Sequence, residues 1–368
     1  MQLLLIPEEL GTQLSRARVS AILTQAAKAV WPQVLTRSVA FETGGDGLLE
    51  TMRSRLGGQY VVLPVMGPCG TPVSARYLSA GDTAVIAASE AAGSQHRQPG
   101  FSALNTTTYG VGELIAHALS AGHRKVWVGM GQTFVADAGC GMAAALGVRF
   151  LNRQGKPFLP MGATLEQIDK IAPNRFFLSP NAHTISVLVD HQQTLSDPKT
   201  LKKRIRQEPG ITDEHVTLLE AGLRHLADTI RRQGGERIHG VAGGAAGGGA
   251  AAGLFGMIRA NIVTDIKAFL AKSGMELSVD EADIAVAALE TLDVARLTDG
   301  SLTSLLEAKA PVKVLFTTEL PDDLTPYYKA GITAVFPIAF KQGEATLRRD
   351  SALTWAANNL FRVLAARV

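Results

Sequence analysis

The chain has 368 residues, 36 basic against 33 acidic, for a formal charge of +3. This length suits two domains better than one core. With 37 glycines and 46% hydrophobic residues, the composition excludes a disordered chain and fits a compact α/β protein with many tight strand-to-helix turns. So balanced a charge gives no reason to expect a nucleic-acid partner. The basic run from Lys199 to Arg206 lacks interleaved aromatics and reads as a solvated helix face, with anion contact as the alternative.

Cys69 and Cys140 are far apart and have no metal-ligand spacing, so they read as reduced thiols of a cytoplasmic protein. The start, Met1 to Pro7, is too short and uncharged for a signal peptide. It reads as a first strand over residues 3–6. Residues 241–258 are apolar but so dense in Gly and Ala that a packed helix and loop suit them better than a membrane span.

In chain order, Ser15 caps a helix reaching residue 30, and residues 34–41 form a second strand. Gly44-Gly-Asp46-Gly47 then opens a helix to residue 56. Strands follow at 60–65, 73–78 and 82–87, the last delivering Ser89 and Glu90 at its carboxyl end. Thr106-Thr-Thr-Tyr-Gly110 introduces a helix over 113–120, and a strand covers 125–129. After it, glycines expose the carboxylate of Asp137 ahead of an Ala/Gly-rich helix over 139–145. An α/β enzyme places an acidic group and bare amides at the mouth of a sheet in this way.

A strand over 185–189 ends at Asp190. Residues 218–231 form an amphipathic helix, followed by a flexible small-residue turn, Val241-Ala-Gly-Gly-Ala-Ala-Gly-Gly-Gly249. Strands at 284–287, 312–316 and 334–337 precede a C-terminal helix over 346–366. This alternation argues for α/β layers. No fixed period marks a solenoid.

Several of these segments carry chemistry-bearing groups, each with a plainer alternative. Thr107, Thr108 and Gly110 offer hydroxyls and open backbone to a small hydroxy acid or phosphate; an ordinary N-cap loop explains the same pattern. The glycine run, through Gly243, Gly244, Gly247 and Gly248, lets amides approach phosphate oxygens, or else serves as a packing turn. It lacks the Lys-Ser/Thr of a P-loop.

Taken together, these segments resemble the bacterial and plant-type glycerate kinase family over nearly the whole chain. Ile6-Pro-Glu8-Glu-Leu-Gly11-Thr-Gln-Leu-Ser15 lies where the family has Pro-Asp-Ser-Phe-Lys-Gly-Ser. Gly44-Gly-Asp46-Gly47 matches its Gly-Gly-Glu-Gly, and Ser89-Glu90-Ala-Ala-Gly93 its Glu-Ala-Ser-Gly run. Thr107-Thr-Tyr-Gly110-Val-Gly112-Glu113 is the most specific match. Gly131 to Gly139 matches Gly-Gly-Ser-Ala-Thr-Asn-Asp-Gly-Gly, and Lys309-Ala-Pro311 falls on a landmark near the C-terminus.

The resemblance implies two α/β domains. A Rossmann-like three-layer domain is split across 1–80 and 280–368, with 81–279 inserted, whereas composition alone suggests two consecutive domains. It further implies ATP- and Mg2+-dependent phosphorylation of D-glycerate or a similar small hydroxy acid in the cleft between the domains, by a monomer or homodimer. Asp137 and Asp190 would then orient the acceptor hydroxyl or hold the metal. Asp46, Glu90, Thr107, Thr108 and Gly110 would bind substrate, and Gly243, Gly244, Gly247, Gly248 and Lys309 the nucleotide. A helix cap for Asp137, a surface turn for Asp190, and turn or cap roles for Asp46 and Glu90 stand against this.

The sequence departs from the family pattern at Gly11, which replaces Lys, and at Phe134 and Val135, which replace small or polar residues. It departs again at Ala288-Leu289-Glu290-Thr291, which replaces Gly-Glu-Gly-Arg. Losing both cations removes charge stabilisation from a phosphoryl-transfer site. The alternative is an inactive or repurposed homologue that binds a small molecule.

Overall fold

A computed structural model describes residues 1–8, 10, 14, 16–38, 45–131, 133–172, 183–189, 192–196, 205, 210–273, 282–292, 294, 297, 301–338 and 346–366. The chain divides into two compact units. One joins Met1–Phe41 to Glu276–Val368, and the other is Glu42–Met275.

The first unit opens with β1 (Gln2–Pro7), α1 (Arg16–Val30) and β2 (Leu35–Ser38). The second holds α2 (Gly45–Leu56), β3 (Gln59–Met66), β4 (Pro72–Ala80), β5 (Thr83–Ala87), α3 (Ser89–Ala92), α4 (Tyr109–Ser120), β6 (Lys125–Gly129) and α5 (Cys140–Ala145). It continues through β7 (Arg149–Leu151), β8 (Pro157–Phe158), β9 (Lys170–Ala172), β10 (Thr184–Leu188), α6 (Asp213–Arg232), α7 (Ala250–Ile258), β11 (Asn261–Val263) and α8 (Ile266–Lys272). The chain then completes the first unit with β12 (Ile284–Thr291), α9 (Ser301–Glu307), β13 (Val312–Glu319), α10 (Thr325–Lys329), β14 (Ala334–Pro337) and α11 (Thr346–Ala365).

The first unit's sheet runs β14-β13-β12-β1-β2, with every pairing parallel. A parallel strand covered on both faces needs a continuous apolar run, and β1 supplies Leu3, Leu4, Leu5 and Ile6. Its alternate side chains enter two cores. Leu3 and Leu5 join Val19, Leu23, Leu353 and Phe361 from α1 and α11, while Leu4 and Ile6 join Leu302, Leu305 and Tyr327 from α9 and α10. This makes three layers, with each fully buried β1 leucine contributing roughly 1.5–3 kcal/mol by burial. Trp31 meets Phe361 at 5.7 Å between ring centres, and Arg18 Nε donates to Asp350 at 2.7 Å, tying α1 to α11.

The second unit's sheet runs β11-β10-β6-β5-β4-β3. Its four strands β5, β6, β10 and β11 are parallel, so their carboxyl ends share one edge. A small three-stranded sheet, β8-β7-β9, stands apart from it.

The unit boundary differs from the one expected near residue 80. Strands β3 and β4 form an antiparallel ladder from Gln59–Ser79 to Met66–Pro72, and β4 continues onto β5 through Leu78–Val85. Those ladder bonds hold β3 and β4 with the second unit. Within residues 241–258 the helix begins at Ala250, after the expected small-residue turn, and the glycines of that turn are buried rather than flexible and loose.

Candidate active site

Beyond the carboxyl end of β6, Asp137 is completely buried and forms the hub of a polar network. Its Oδ2 accepts from the Thr108 amide at 2.7 Å, the Gly141 amide at 3.1 Å and the Thr108 hydroxyl at 2.9 Å. The Thr107 hydroxyl reaches the same oxygen at 3.4 Å. Oδ1 accepts from the Gly139 amide at 2.9 Å and the Thr108 hydroxyl at 3.1 Å. Thr108 in turn accepts from the Met142 amide at 3.0 Å.

The carboxylate thus joins the N-termini of α4 and α5, where unpaired amides and the helix dipole favour negative charge. Burial pushes the Asp137 carboxyl pKa up, against the amides of Thr108, Gly139 and Gly141 and the Thr108 hydroxyl, which pull it down. The adjacent Cys140 thiol is pushed well up, first by burial and then by the Asp137 charge.

The sequence assigns this carboxylate to an acceptor hydroxyl or a metal; the geometry gives both its oxygens to protein donors. Thr107 and Thr108 likewise turn their hydroxyls inward. Gly110 serves close packing, because a side chain there would strike the Met66 carbonyl oxygen.

The glycine run reaches the same region from far along the sequence. A Cβ on Gly248 would collide with the Val135 carbonyl, one on Gly253 with the Ala138 carbonyl, and one on Gly139 would lie 2.9 Å from the Ala250 carbonyl. At Gly243 it would meet Val189 Cγ2 at 2.5 Å and Thr264 Cγ2 at 2.9 Å, beside the carboxyl ends of β10 and β11. Gly247 and Gly248 adopt left-handed backbone, φ 61° and 66°. The amides of Gly244, Ala245, Ala246 and Gly249 are paired, but among the described residues none accepts from Gly247 or Gly248. Two buried donors are thereby left for an acceptor from outside the described protein.

The remaining candidates scatter. Glu90, after β5, accepts from Arg76 Nε at 3.1 Å and the Arg76 amide at 3.2 Å, so a cation already holds it. Asp46 begins α2. Lys309 is exposed in the first unit, and its carbonyl accepts from the Ala282 amide. Asp190, like Gly11, lies outside the described residues. Among those described, no group of three or more His, Cys, Asp or Glu side chains could hold a metal ion.

Sequence reasoning missed two arginines. Arg76 packs 4.5 Å over the Tyr60 ring while holding Glu90. Arg97 lies 4.7 Å over the Phe134 ring. The one signal for Arg97 was the aromatic departure at residue 134.

Two α/β units and motif segments gathered at the carboxyl edge of a parallel sheet define the architecture of an α/β enzyme that binds at such an edge. The sequence profile of the glycerate kinase family matches residues 3–365. A glycerate kinase of Halalkalibacterium halodurans is 26% identical, covering 97% of each chain. One from Haemophilus influenzae is 27% identical over 99% of each. The glycerate 2-kinase of Escherichia coli is 25% identical over 98% of this chain and 96% of its own.

The crystal structure of a protein provisionally assigned as glycerate kinase 2, from Salmonella typhimurium LT2, superposes with a TM-score of 0.70. It is 26% identical and covers 100% of this chain and 98% of that one. The chain belongs to the glycerate kinase family.

Proposed function

We propose that this protein is a glycerate kinase, transferring the γ-phosphoryl group of ATP to a hydroxyl of D-glycerate or a closely similar hydroxy acid. One observation carries the reading. Segments 107–110, 135–141 and 243–253, which include the most specific family motif, are distant in sequence yet pack together at the carboxyl edge of the second unit's sheet. The extent of the family match supports it.

Phosphoryl transfer asks a protein chiefly for positioning and for donors to phosphate charge. The amides of Gly247 and Gly248 fit phosphate oxygens, as small residues admit close approach. Asp137 does not fit direct metal coordination, because five donor groups take its two oxygens. In this reading Asp137 positions the loop that carries the site. Asp190, two residues beyond β10, is the carboxylate proposed to act on the acceptor hydroxyl. Mg2+ is expected to accompany ATP and to offset phosphate charge. No helix among the described residues is long and apolar enough to cross a membrane, which is compatible with a cytoplasmic enzyme.

The test is coupled ADP release with ATP, Mg2+ and D-glycerate, alongside thermal shift with each ligand. Turnover that Asp190→Asn abolishes while the fold melts normally is the expected result. Absence of both turnover and any ligand-induced shift would overturn the kinase reading; D-glycerate binding without turnover would favour a repurposed binding protein.

A further inference from the structure

We infer that residues 192–196 form a strap that sets the spacing between the segment carrying Asp190 and the Gly247 and Gly248 amides. Leu195 is its pin. Leu195 and Ser196 are positioning residues, which act through the backbone rather than on the substrate. The inference rests on the kinase reading for the roles of Asp190 and the glycine run, while the strap's contacts stand on their own geometry.

In sequence, Asp190 falls between two stretches of chain that are each fastened to the glycine run. On its amino side is Val189, just past the end of β10 and 1% exposed. The Val189 amide donates to the Val263 carbonyl at 3.0 Å, and its Cγ2 would lie 2.5 Å from a Cβ on Gly243. On its carboxyl side, the Gln193 carbonyl accepts from the Ala245 amide at 3.1 Å, two residues before Gly247.

Farther along the strap, Leu195 Cδ2 would lie 3.1 Å from a Cβ on Gly249, as would Leu223 Cδ2 from α6. Leu195 is partly buried and packs against the second unit's core. It therefore covers the left-handed turn at Gly249, φ 90°, which caps α7. Ser196 fastens the strap's end, its amide at 3.1 Å and its hydroxyl at 2.7 Å both donating to the His239 carbonyl. The strap thus meets the approach to the glycine run at His239, its middle at Ala245 and its end at Gly249. Gln192-Gln-Thr-Leu-Ser196 carries no charge, so its part is placement rather than stabilisation of phosphate charge.

Placement is what phosphoryl transfer chiefly asks of a protein, and a misplacement of about 1 Å can cost about a hundredfold in rate. A strap that joins the acceptor side to the phosphate side leaves each ligand's own contacts alone. Its loss lowers kcat and kcat/KM together, with KM unchanged.

The experiment compares the intact protein with Leu195→Ala, Leu195→Met, Ser196→Ala and Ser196→Thr, each checked for folding by its melting curve. It follows steady-state kinetics in ATP and in D-glycerate, and amide hydrogen exchange over residues 243–249. Leu195→Ala should lower kcat about tenfold to a hundredfold with both KM values near wild type, and should quicken the exchange. Ser196→Ala should lower kcat about twofold to tenfold, and it carries the test if Leu195→Ala fails to fold. Leu195→Met conserves volume and Ser196→Thr keeps the hydroxyl, so both should stay near wild type.

A wild-type kcat in folded Leu195→Ala would overturn the positioning role and leave the kinase reading intact; a lower melting point alone is what a purely structural contact gives. A raised ATP KM at an unchanged kcat would also overturn it, making the segment a cover for the nucleotide. Unchanged exchange over 243–249 would overturn the strap whether or not the protein turns over. Wild-type protein that neither binds nor phosphorylates D-glycerate would overturn the kinase reading and the positioning role with it.

Discussion

Replacing Asp137 with Asn separates a structural hub from a group that touches substrate. Asn keeps one acceptor oxygen, which can retain the Thr108 amide at 2.7 Å and the Gly141 amide at 3.1 Å. Its NH2 group then faces the Gly139 amide, which was 2.9 Å from a carboxylate oxygen. A donor confronts a donor, and a buried N–H is orphaned at a cost of about 1–3 kcal/mol. The retained bonds also lose charge assistance, roughly halving their strength and adding about 1–2 kcal/mol. Relief of the buried charge offsets part of this, since burial is the leading influence on this carboxyl. The net expectation is a loss of roughly 2–4 kcal/mol, or a melting midpoint lower by roughly 5–15 °C for a unit of this size. Far-UV circular dichroism melts and urea titration measure it. A variant that melts within about 2 °C of wild type but has lost all turnover would refute the hub and return Asp137 to the ligand.

Other outcomes follow from the same contacts. Gly110→Ala drives a methyl into the Met66 carbonyl and should cost about 1–3 kcal/mol by overpacking, read as a lower urea midpoint. Glu90→Gln weakens a partly buried pair with Arg76, whose side chains are 14% and 28% exposed respectively, and should cost about 1–3 kcal/mol; a loss below about 0.5 kcal/mol would make the pair a solvent-screened one. Asp82 is held below its usual 3.8, first by the Lys125 hydrogen bond and then by the Thr83 hydroxyl. A depressed carboxylate adds stability above its unfolded pKa and loses it as pH falls through the folded one. Asp82→Asn should therefore cost about 0.5 kcal/mol near neutral pH, discounted for exposure, and nothing in strong acid. A deficit that persists in acid would reject the ion pair as its cause.

What the sequence revealed depended on whether the deciding contacts were local. The central strands were legible because a doubly covered parallel strand demands an unbroken apolar run, as in Leu3 to Ile6. Strands β7, β8 and β9, of two or three residues each, carry no periodicity to read. Strands β3 and β4 read correctly as strands, yet their unit depends on hydrogen bonding to β5, which the pattern does not encode. The glycine run read as flexible because bare glycine signals freedom until something packs on it. Here Met130, Val135 and Ala136 do. Asp137 stood out as a carboxylate at the mouth of a sheet. The direction its oxygens face is set by Thr108, 29 positions back, and no local pattern carries that.

Ala138 shows how the loop tolerates departure from the family string, which places glycine there. Its φ is 52°, and it is fully buried between Asp137 and Gly139. Left-handed backbone costs a non-glycine residue about 1–2 kcal/mol. Replacing it with glycine removes that strain but frees the unfolded chain by about 0.5–1 kcal/mol and strips a buried methyl worth about 0.8 kcal/mol. The terms nearly cancel, so Ala138→Gly should shift stability by no more than about 0.5 kcal/mol. The Asp137 network fixes the turn whichever residue occupies the position, because the Gly139 and Gly141 amides are already held. Stabilisation above about 1.5 kcal/mol would mean that the turn is stressed by its own residue, with the carboxylate holding it against that stress. A neutral result leaves the network as what defines the turn.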